Sequence, residues 1–282
     1  MIEAVATLFF CLVKDDAGNT LHFEKPAKRI VSLAPDLTET LFAAGAGERI
    51  VGVVSGSDYP AAANKIAKVG SYSGIDLEKT ISLHPDLIVT WGNNFPREIS
   101  AFKKLGIPVY VSNPARIEDV PRTLRYLGCL AGVEKFANHA ADNFSRVWRQ
   151  LQKQYQTQKP VTVFYQIGDY SLITINKKSW INQVIALCGG RNIFANMTSL
   201  STEVSWESVV MANPEVIITD ATNDSWTSRW QRWQSISAVK NNHLYNIPPD
   251  LIDRAGPRLL EGAKRVCERL RMARLSQAPA GA

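Results

Sequence analysis

The sequence predicts an α/β protein of two Rossmann-like lobes, each with a parallel-rich central sheet, joined by one long helix. Three observations carry that expectation. First, a segment occurs twice. Glu78-Lys-Thr-Ile-Ser-Leu-His-Pro-Asp-Leu-Ile-Val-Thr90 and Glu207-Ser-Val-Val-Met-Ala-Asn-Pro-Glu-Val-Ile-Ile-Thr219 share Glu, Pro, an acid and Thr at a constant offset of 129 residues. A helix that stops at a proline and is followed by a buried apolar strand is half of an α/β unit. Second, short β-branched runs alternate with helical patterns in both halves, the signature of parallel sheets. Third, residues 133–155 contain no Pro or Gly, and apolar side chains recur at 133, 136, 140, 144, 147, 151 and 155. That spacing is helical over about six turns and reads as a stiff connector that hinges little.

Taken in chain order, Ala4 to Val13 is an apolar run with Glu3 before it. It fits a degenerate signal, a start placed too late, or a first strand. Strands are expected at Ile30–Leu33, Ile50–Val54, Leu87–Trp91 and Pro108–Ser112. Thr38 is positioned to cap a helix through Leu41 and Phe42 that Gly45 ends. After the long helix, Lys159-Pro160 opens the next strand, Val161–Ile167, followed by Leu172–Ile175, Val216–Asp220 and His243–Ile247. Trp226, Trp230 and Trp233 have i, i+4, i+7 spacing and read as the packed face of a helix. The expected division is 1–132 for the first lobe, 133–158 for the connecting helix and 159–282 for the second lobe.

Composition narrows the function. A chain of 282 residues with 45% apolar and 21% charged residues fits two ordinary globular domains. The net charge of +6 is spread along the chain, and the basic stretch Lys264 to Arg274 contains acids, so no nucleic-acid partner is expected. Cysteines at 11, 129, 188 and 267 form no C-x-x-C, and the histidines at 22, 84, 139 and 243 are scattered. No cysteine- or histidine-built metal site follows from such spacing. No stretch reaches the roughly 18 apolar residues of a membrane span.

Catalytic signatures are missing too. Gly45-Ala-Gly47 lacks a third glycine and follows a helix, so it is no dinucleotide fingerprint. Gly70-Ser-Tyr-Ser-Gly74 misses the nucleophile elbow by one position. No catalytic residue, metal or resident cofactor is expected, and the weight moves to binding. Two lobes imply a cleft, where small molecules bind. Tyr72, in a glycine-flanked loop, and Trp91, at the end of its strand, stand where ligands of open sheets bind. Asp250-Leu-Ile-Asp253-Arg254-Ala-Gly-Pro-Arg258 is a charged segment that Pro248, Pro249 and Pro257 keep out of regular structure. It reads either as a polar ligand rim or as a surface turn with an internal Asp–Arg pair.

These residues, together with Ile30-Val-Ser-Leu-Ala-Pro35, Thr38-Glu39, Gly52-Val53, Ser57-Asp-Tyr-Pro60, His84-Pro-Asp-Leu-Ile-Val89, Asn182-Gln-Val184, Cys188-Gly-Gly190 and Asn192-Ile-Phe194, carry a resemblance. The chain resembles the substrate-binding proteins of bacterial ABC importers. Within them it is similar to the long-helix (class III) periplasmic family that serves siderophores, haem and cobalamin, and most to its cobalamin (vitamin B12) group. The likeness spans roughly residues 28 to 270.

The resemblance implies a monomer in the periplasm that delivers a corrinoid to an ABC permease dimer in the inner membrane, powered by its ATPase. The ligand would lie between the lobes against Gly56, Tyr72, Trp91 and the segment Asp250, Leu251, Ile252, Asp253 and Arg254. Glu78 and Glu207, the pair the repeat singles out, would dock on permease arginines, while also complementing their helix dipoles. A disulfide would join Cys188 to Cys267, as suits an oxidising compartment; Cys11 and Cys129 have no counterpart in the family. The chain also departs from the family. Gly56 stands for a tyrosine, Tyr72 for a tryptophan and Ser201 for a tryptophan of the second lobe, each loss removing about 1.5–3 kcal/mol of burial in a tight pocket. Haem or a ferric siderophore therefore stays open as the ligand, as does, more distantly, a nitrogenase-like enzyme holding a metal cofactor. Lipid anchoring is likewise left open.

Overall fold

The two copies of the repeated strand occupy the same place in two parallel sheets of a computed structural model, which describes residues 9–92 and 94–276. The chain divides into two units. One runs up to Pro114 and takes in Glu118–Ser145; the other comprises Ala115–Ile117 and the chain from Arg146 on. The boundary falls inside the 22-residue helix Glu134–Tyr155, so each unit owns part of that helix.

In the first unit five strands lie in the order Ala67–Lys68, Ile50–Val53, Ile30–Ser32, Leu87–Trp91, Val109–Ser112, every neighbouring pair parallel. In the second unit the order is Gly190–Asn192, Val161–Gln166, Val216–Thr219, Leu244–Asn246, again all parallel. Leu87, Ile88 and Val89, like Val216, Ile217 and Ile218, are completely buried. Both faces of each sheet are covered, which is why these runs are continuously apolar instead of alternating.

The repeat is a shared corner. In the first unit Asp76 caps the helix Leu77–Ser82 by accepting the Lys79 N–H; in the second, Ser205 caps Trp206–Ala212 by accepting the Ser208 N–H. Glu78 and Glu207 are each the second residue of their helix. His84 and Asn213 then adopt the left-handed conformation, with φ of 46° and 43°. That turn ends the helix, and the proline that follows cannot continue it. The next acid fastens the corner to the neighbouring strand. The Asp86 carboxylate accepts the Lys28 and Arg29 N–H groups, both at 2.8 Å. That of Glu215 accepts the Thr162 N–H at 2.6 Å and the Thr162 hydroxyl at 2.8 Å.

Several local expectations are corrected. The first helix starts at Pro35, so Thr38 lies inside it and does not cap it. Proline suits the first turn, where its missing N–H costs nothing. Thr38 is instead buried, with Oγ1 2.9 Å from Ser32 Oγ, 3.1 Å from Ala34 O and 3.1 Å from Ser57 Oγ. The helix ends at Ala43, and Gly45 turns the chain with φ 86°. The buried stripe of the long helix runs through Ala137, Ala141, Phe144, Leu151 and Tyr155, while Phe136 is 66% exposed. Small residues win the seam because the backbones come close there: a Cβ on Gly128 would sit 2.1 Å from the Ala137 Cβ. Trp226 and Trp230 pack in the core as expected, but their helix stops at Gln231. Trp233 reaches the same cluster through a turn and stacks on Trp206, ring centroids 5.7 Å apart.

Of the N-terminal run, Cys11–Lys14 forms a strand paired antiparallel with Thr20–Phe23; residues 4–8 lie outside the described residues. Two disulfides are present, Cys11–Cys129 and Cys188–Cys267, one in each unit. The first joins the two cysteines to which the resemblance gave no role. No helix among the described residues is long and apolar enough to cross a membrane.

The bridges close loops of 118 and 79 residues. On the chain-entropy account each then contributes about 4–5 kcal/mol by restricting the unfolded chain. Reducing both should move the urea midpoint down by an amount worth several kcal/mol, measured by circular dichroism with and without dithiothreitol.

Candidate functional site

In a parallel sheet all strands end on one edge, and side chains just beyond that edge are free to meet a ligand. In the first unit Gly56 follows the strand Ile50–Val53, Tyr72 follows Ala67–Lys68 and Trp91 ends Leu87–Trp91, so topology brings all three to the carboxyl edge of one sheet. Tyr72 is at the tip of the small hairpin Gly70–Ser71/Gly74–Ile75 and is 95% exposed. The hairpin is tethered at its base, where Ser55 N–H donates to Gly70 O at 2.8 Å and Asp76 N–H donates to Val69 O at 2.8 Å. Gly56 has φ 85°, and a Cβ there would meet nothing nearer than the Pro35 Cγ at 3.7 Å. Trp91 is half-buried and packs on the core of its unit. A rigid base with an open aromatic tip gives a flat apolar ligand a surface without ordering the chain first.

In the second unit the segment Asp250 to Arg258 is only partly irregular: one helical turn opens it, and residues 253–258 lie outside regular structure as expected. Pro249–Ile252 is a short helix with proline in its first turn. Leu251 and Ile252 are buried in the core, at 2% and 0% exposure. Apolar side chains on a one-turn helix at a sheet edge turn inward because burying them is worth more than any exposed contact. The Trp180 indole N–H donates to Ile252 O at 3.0 Å, holding the helix down. Asp250 is ion-paired with Arg258, Oδ2 to Nη2 2.5 Å, the internal pair of the turn reading. Asp253 Oδ1 lies 3.4 Å from the Tyr165 hydroxyl. Arg254, beside it, is half-buried at the edge of the same segment. Ser201 is exposed in the strand Ser201–Glu203.

Three features of this edge escape the reading of the sequence. Tyr170, beyond the strand Val161–Gln166, is 70% exposed with the Arg229 guanidinium 5.8 Å from its ring centroid. Asp220 follows Val216–Thr219 and is 5% exposed. It accepts from the Gly168 N–H and, at 3.1 Å, from the Tyr165 hydroxyl. The repeat carried the signal for it, because Asp220 stands 129 residues after Trp91. Burial pushes the Asp220 carboxyl up from its ordinary range; Asp253 keeps an exposed side, and partial desolvation of its carboxyl with the neighbouring Asp220 charge pushes it up as well, against the pull of Arg254. Burial likewise raises the Tyr165 phenol well above its usual value. The third is Gly262, where a Cβ would lie 2.2 Å from Leu251 O. Its missing side chain lets the helix Leu259–Ser276 press against the helix Pro249–Ile252.

Glu78 and Glu207 are exposed at the starts of their helices. Glu207's own backbone amide and the Ser205 hydroxyl hold its carboxyl below the usual range.

This chain belongs to the periplasmic binding protein family, whose model matches residues 30–251. The family binds substrates; it is not one of enzymes. Among relatives, the chain is 35% identical over 246 residues to the vitamin B12-binding protein of Vibrio parahaemolyticus, covering 86% of this chain and 90% of that one. The crystal structure of the periplasmic vitamin B12 binding protein of Vibrio cholerae superposes with a TM-score of 0.81 at 34% identity, covering 88% of this chain and 98% of that one. A periplasmic haem-binding protein from Roseiflexus has a TM-score of 0.77 at 20% identity, covering 88% and 99%, a likeness of fold alone.

Gly262→Ala should force the two helices apart and destabilise the protein by about 1–3 kcal/mol. A chemical-denaturation midpoint unchanged from wild type would show that the close approach is not needed.

Proposed function

We propose that this chain is the extracytoplasmic solute-binding protein of an ABC importer and that its cargo is a corrinoid. The observation that supports this most is the near end-to-end match, at 34–35% identity, to relatives described as vitamin B12-binding proteins. The chemistry of the sheet edges agrees with it. Tyr72 and Trp91 of the first unit offer apolar faces to a macrocycle, and Asp250, Asp253 and Arg254 of the second offer hydrogen-bonding groups to its amide-rich rim. Gly56 leaves open space where a larger side chain would narrow the site. No reaction is catalysed and no cofactor is retained; cobalamin is cargo. The monomer works in the periplasm, and both units share the helix Glu134–Tyr155. Glu78 and Glu207, one per unit, meet basic residues of the permease dimer in the inner membrane, and the ATPase drives release. Charged pairs of this kind speed and orient encounter more than they tighten it.

Isothermal titration with cyanocobalamin should show one ligand per chain. Trp91→Ala and Arg254→Ala should each weaken it about tenfold to a hundredfold, the worth of one buried ring or one charge-assisted hydrogen bond. Saturable heat with haem or a ferric siderophore, and none with any corrinoid, would move the protein to the other ligand class. Glu78→Ala with Glu207→Ala should leave that affinity intact and impair uptake in cells. Normal uptake by the double variant would remove the docking role.

A further inference from the structure

One tyrosine hydroxyl in the second unit faces two carboxyl groups. Tyr165 is fully buried on the strand Val161–Gln166, and its oxygen is 3.1 Å from Asp220 Oδ2 and 3.4 Å from Asp253 Oδ1. A phenol has a single proton to donate. If it goes to Asp220, the nearer acceptor, the second contact sets oxygen lone pairs against each other unless Asp253 carries a proton. With that proton the groups form one cluster: Asp253 donates to Tyr165 or directly to Asp220, and Tyr165 donates to the Asp220 carboxylate. Asp220 passes the connection on, because its other oxygen accepts the Gly168 N–H. Gly168 is itself fixed, its carbonyl accepting from the Thr219 hydroxyl at 3.1 Å and the Gln166 side-chain amide at 3.1 Å.

The two ends of this cluster belong to different ligand-facing segments. Gly168 begins the loop that presents Tyr170. Asp253 closes the helix Pro249–Ile252 and precedes Arg254. We infer that Tyr165, Asp220 and Asp253 are positioning residues: one shared proton clamps the Tyr170 loop to the Asp250–Arg254 segment and so holds the second unit's half of the ligand site. The inference rests on the ligand reading above for its consequence, though not for its geometry.

The groups facing Asp253 are Asp220, Tyr165 and Arg254; Asp250 is occupied by Arg258. Only Arg254 favours the ionised form by its charge, while partial desolvation of the inner side of the carboxyl and the Asp220 charge oppose it. The folded state therefore holds a proton that the unfolded chain has released, and stability from this pair falls as pH rises from the ordinary carboxylate range towards the raised folded value. Once the shared proton leaves, two adjacent anions push the segments apart.

The test measures cyanocobalamin affinity and amide hydrogen exchange in the whole protein from about pH 6 to about pH 9. Wild type should lose about tenfold in affinity over that range, with exchange at residues 168–170 and 250–254 rising beyond its intrinsic pH dependence. Asp220→Asn removes the second acid while keeping hydrogen-bonding groups, and should flatten both profiles. Asp220→Ala should raise exchange in both segments at every pH. Tyr165→Phe removes the hydroxyl that both acids contact, and should raise exchange in both segments at every pH. Flat profiles in wild type, or a profile in Asp220→Asn identical to wild type, would overturn the clamp. Absence of cyanocobalamin binding at all pH values would refute the ligand reading, and the exchange profiles would still decide the clamp.

Discussion

A carboxylate that accepts the backbone N–H groups of the adjacent strand is the interaction on which each unit is organised. Asp86 does this at Lys28 and Arg29, and Glu215 does it at Thr162. A parallel sheet lacks the tight hairpins that set register in antiparallel ones, so register must come from the connections. Here the acid at the mouth of the central strand fixes it. Ile30 pairs with Leu87, and Val163 with Val216, one residue beyond each clamp. Everything downstream inherits that alignment. The glutamate two residues after the capping position sits on the helix entering the corner, and the ligand-facing residue sits at the far end of the strand leaving it. One motif thus places both the expected docking charge and one wall of the candidate site.

The two sheet edges share geometry and differ in chemistry. Where the first unit ends its repeated strand in Trp91, the second ends it in Asp220. The aromatic edge needs little support, since Trp91 packs on its own core and Tyr72 rides on a tethered hairpin. The polar edge is more demanding, because a buried carboxylate without partners costs far more than it returns. Its requirements explain the density of bonds around Gly168, Asp220 and Tyr165 and the close approach that Gly262 permits.

Most of the architecture was legible in the sequence because it depends on local pattern. Buried parallel strands read as apolar runs: seven of the eight expected runs form strands of the two parallel sheets within a residue of their predicted limits, while the eighth, Ile173–Ile175, pairs antiparallel with Ser201–Glu203. The corner was visible as a repeat. What was not legible depended on close packing. Thr38 has the composition of a cap, but Pro35 starts the helix earlier, and the hydroxyl is drawn to Ser32 and Ser57. The stripe on the long helix shifts from Phe136 to Ala137 because Gly128 lets two backbones approach, a preference that hydrophobicity alone does not encode. Leu251 and Ile252 turn inward because the short helix buries them. Asp220 was overlooked for a different reason: a single acid after a strand has no distinguishing pattern until its partners, Tyr165 and Asp253, are brought together by the fold.

Native-state hydrogen exchange in Asp86→Ala and Glu215→Ala, made separately, tests the organising role of the corner most directly. Each change should speed exchange at its own strand mouth and along the strand beside it: Lys28 to Ser32 and Leu87 to Trp91 for the first, Thr162 to Gln166 and Val216 to Thr219 for the second. The opposite unit should be untouched. Unchanged protection in the targeted strands, or equal losses in both units from either change, would contradict the account.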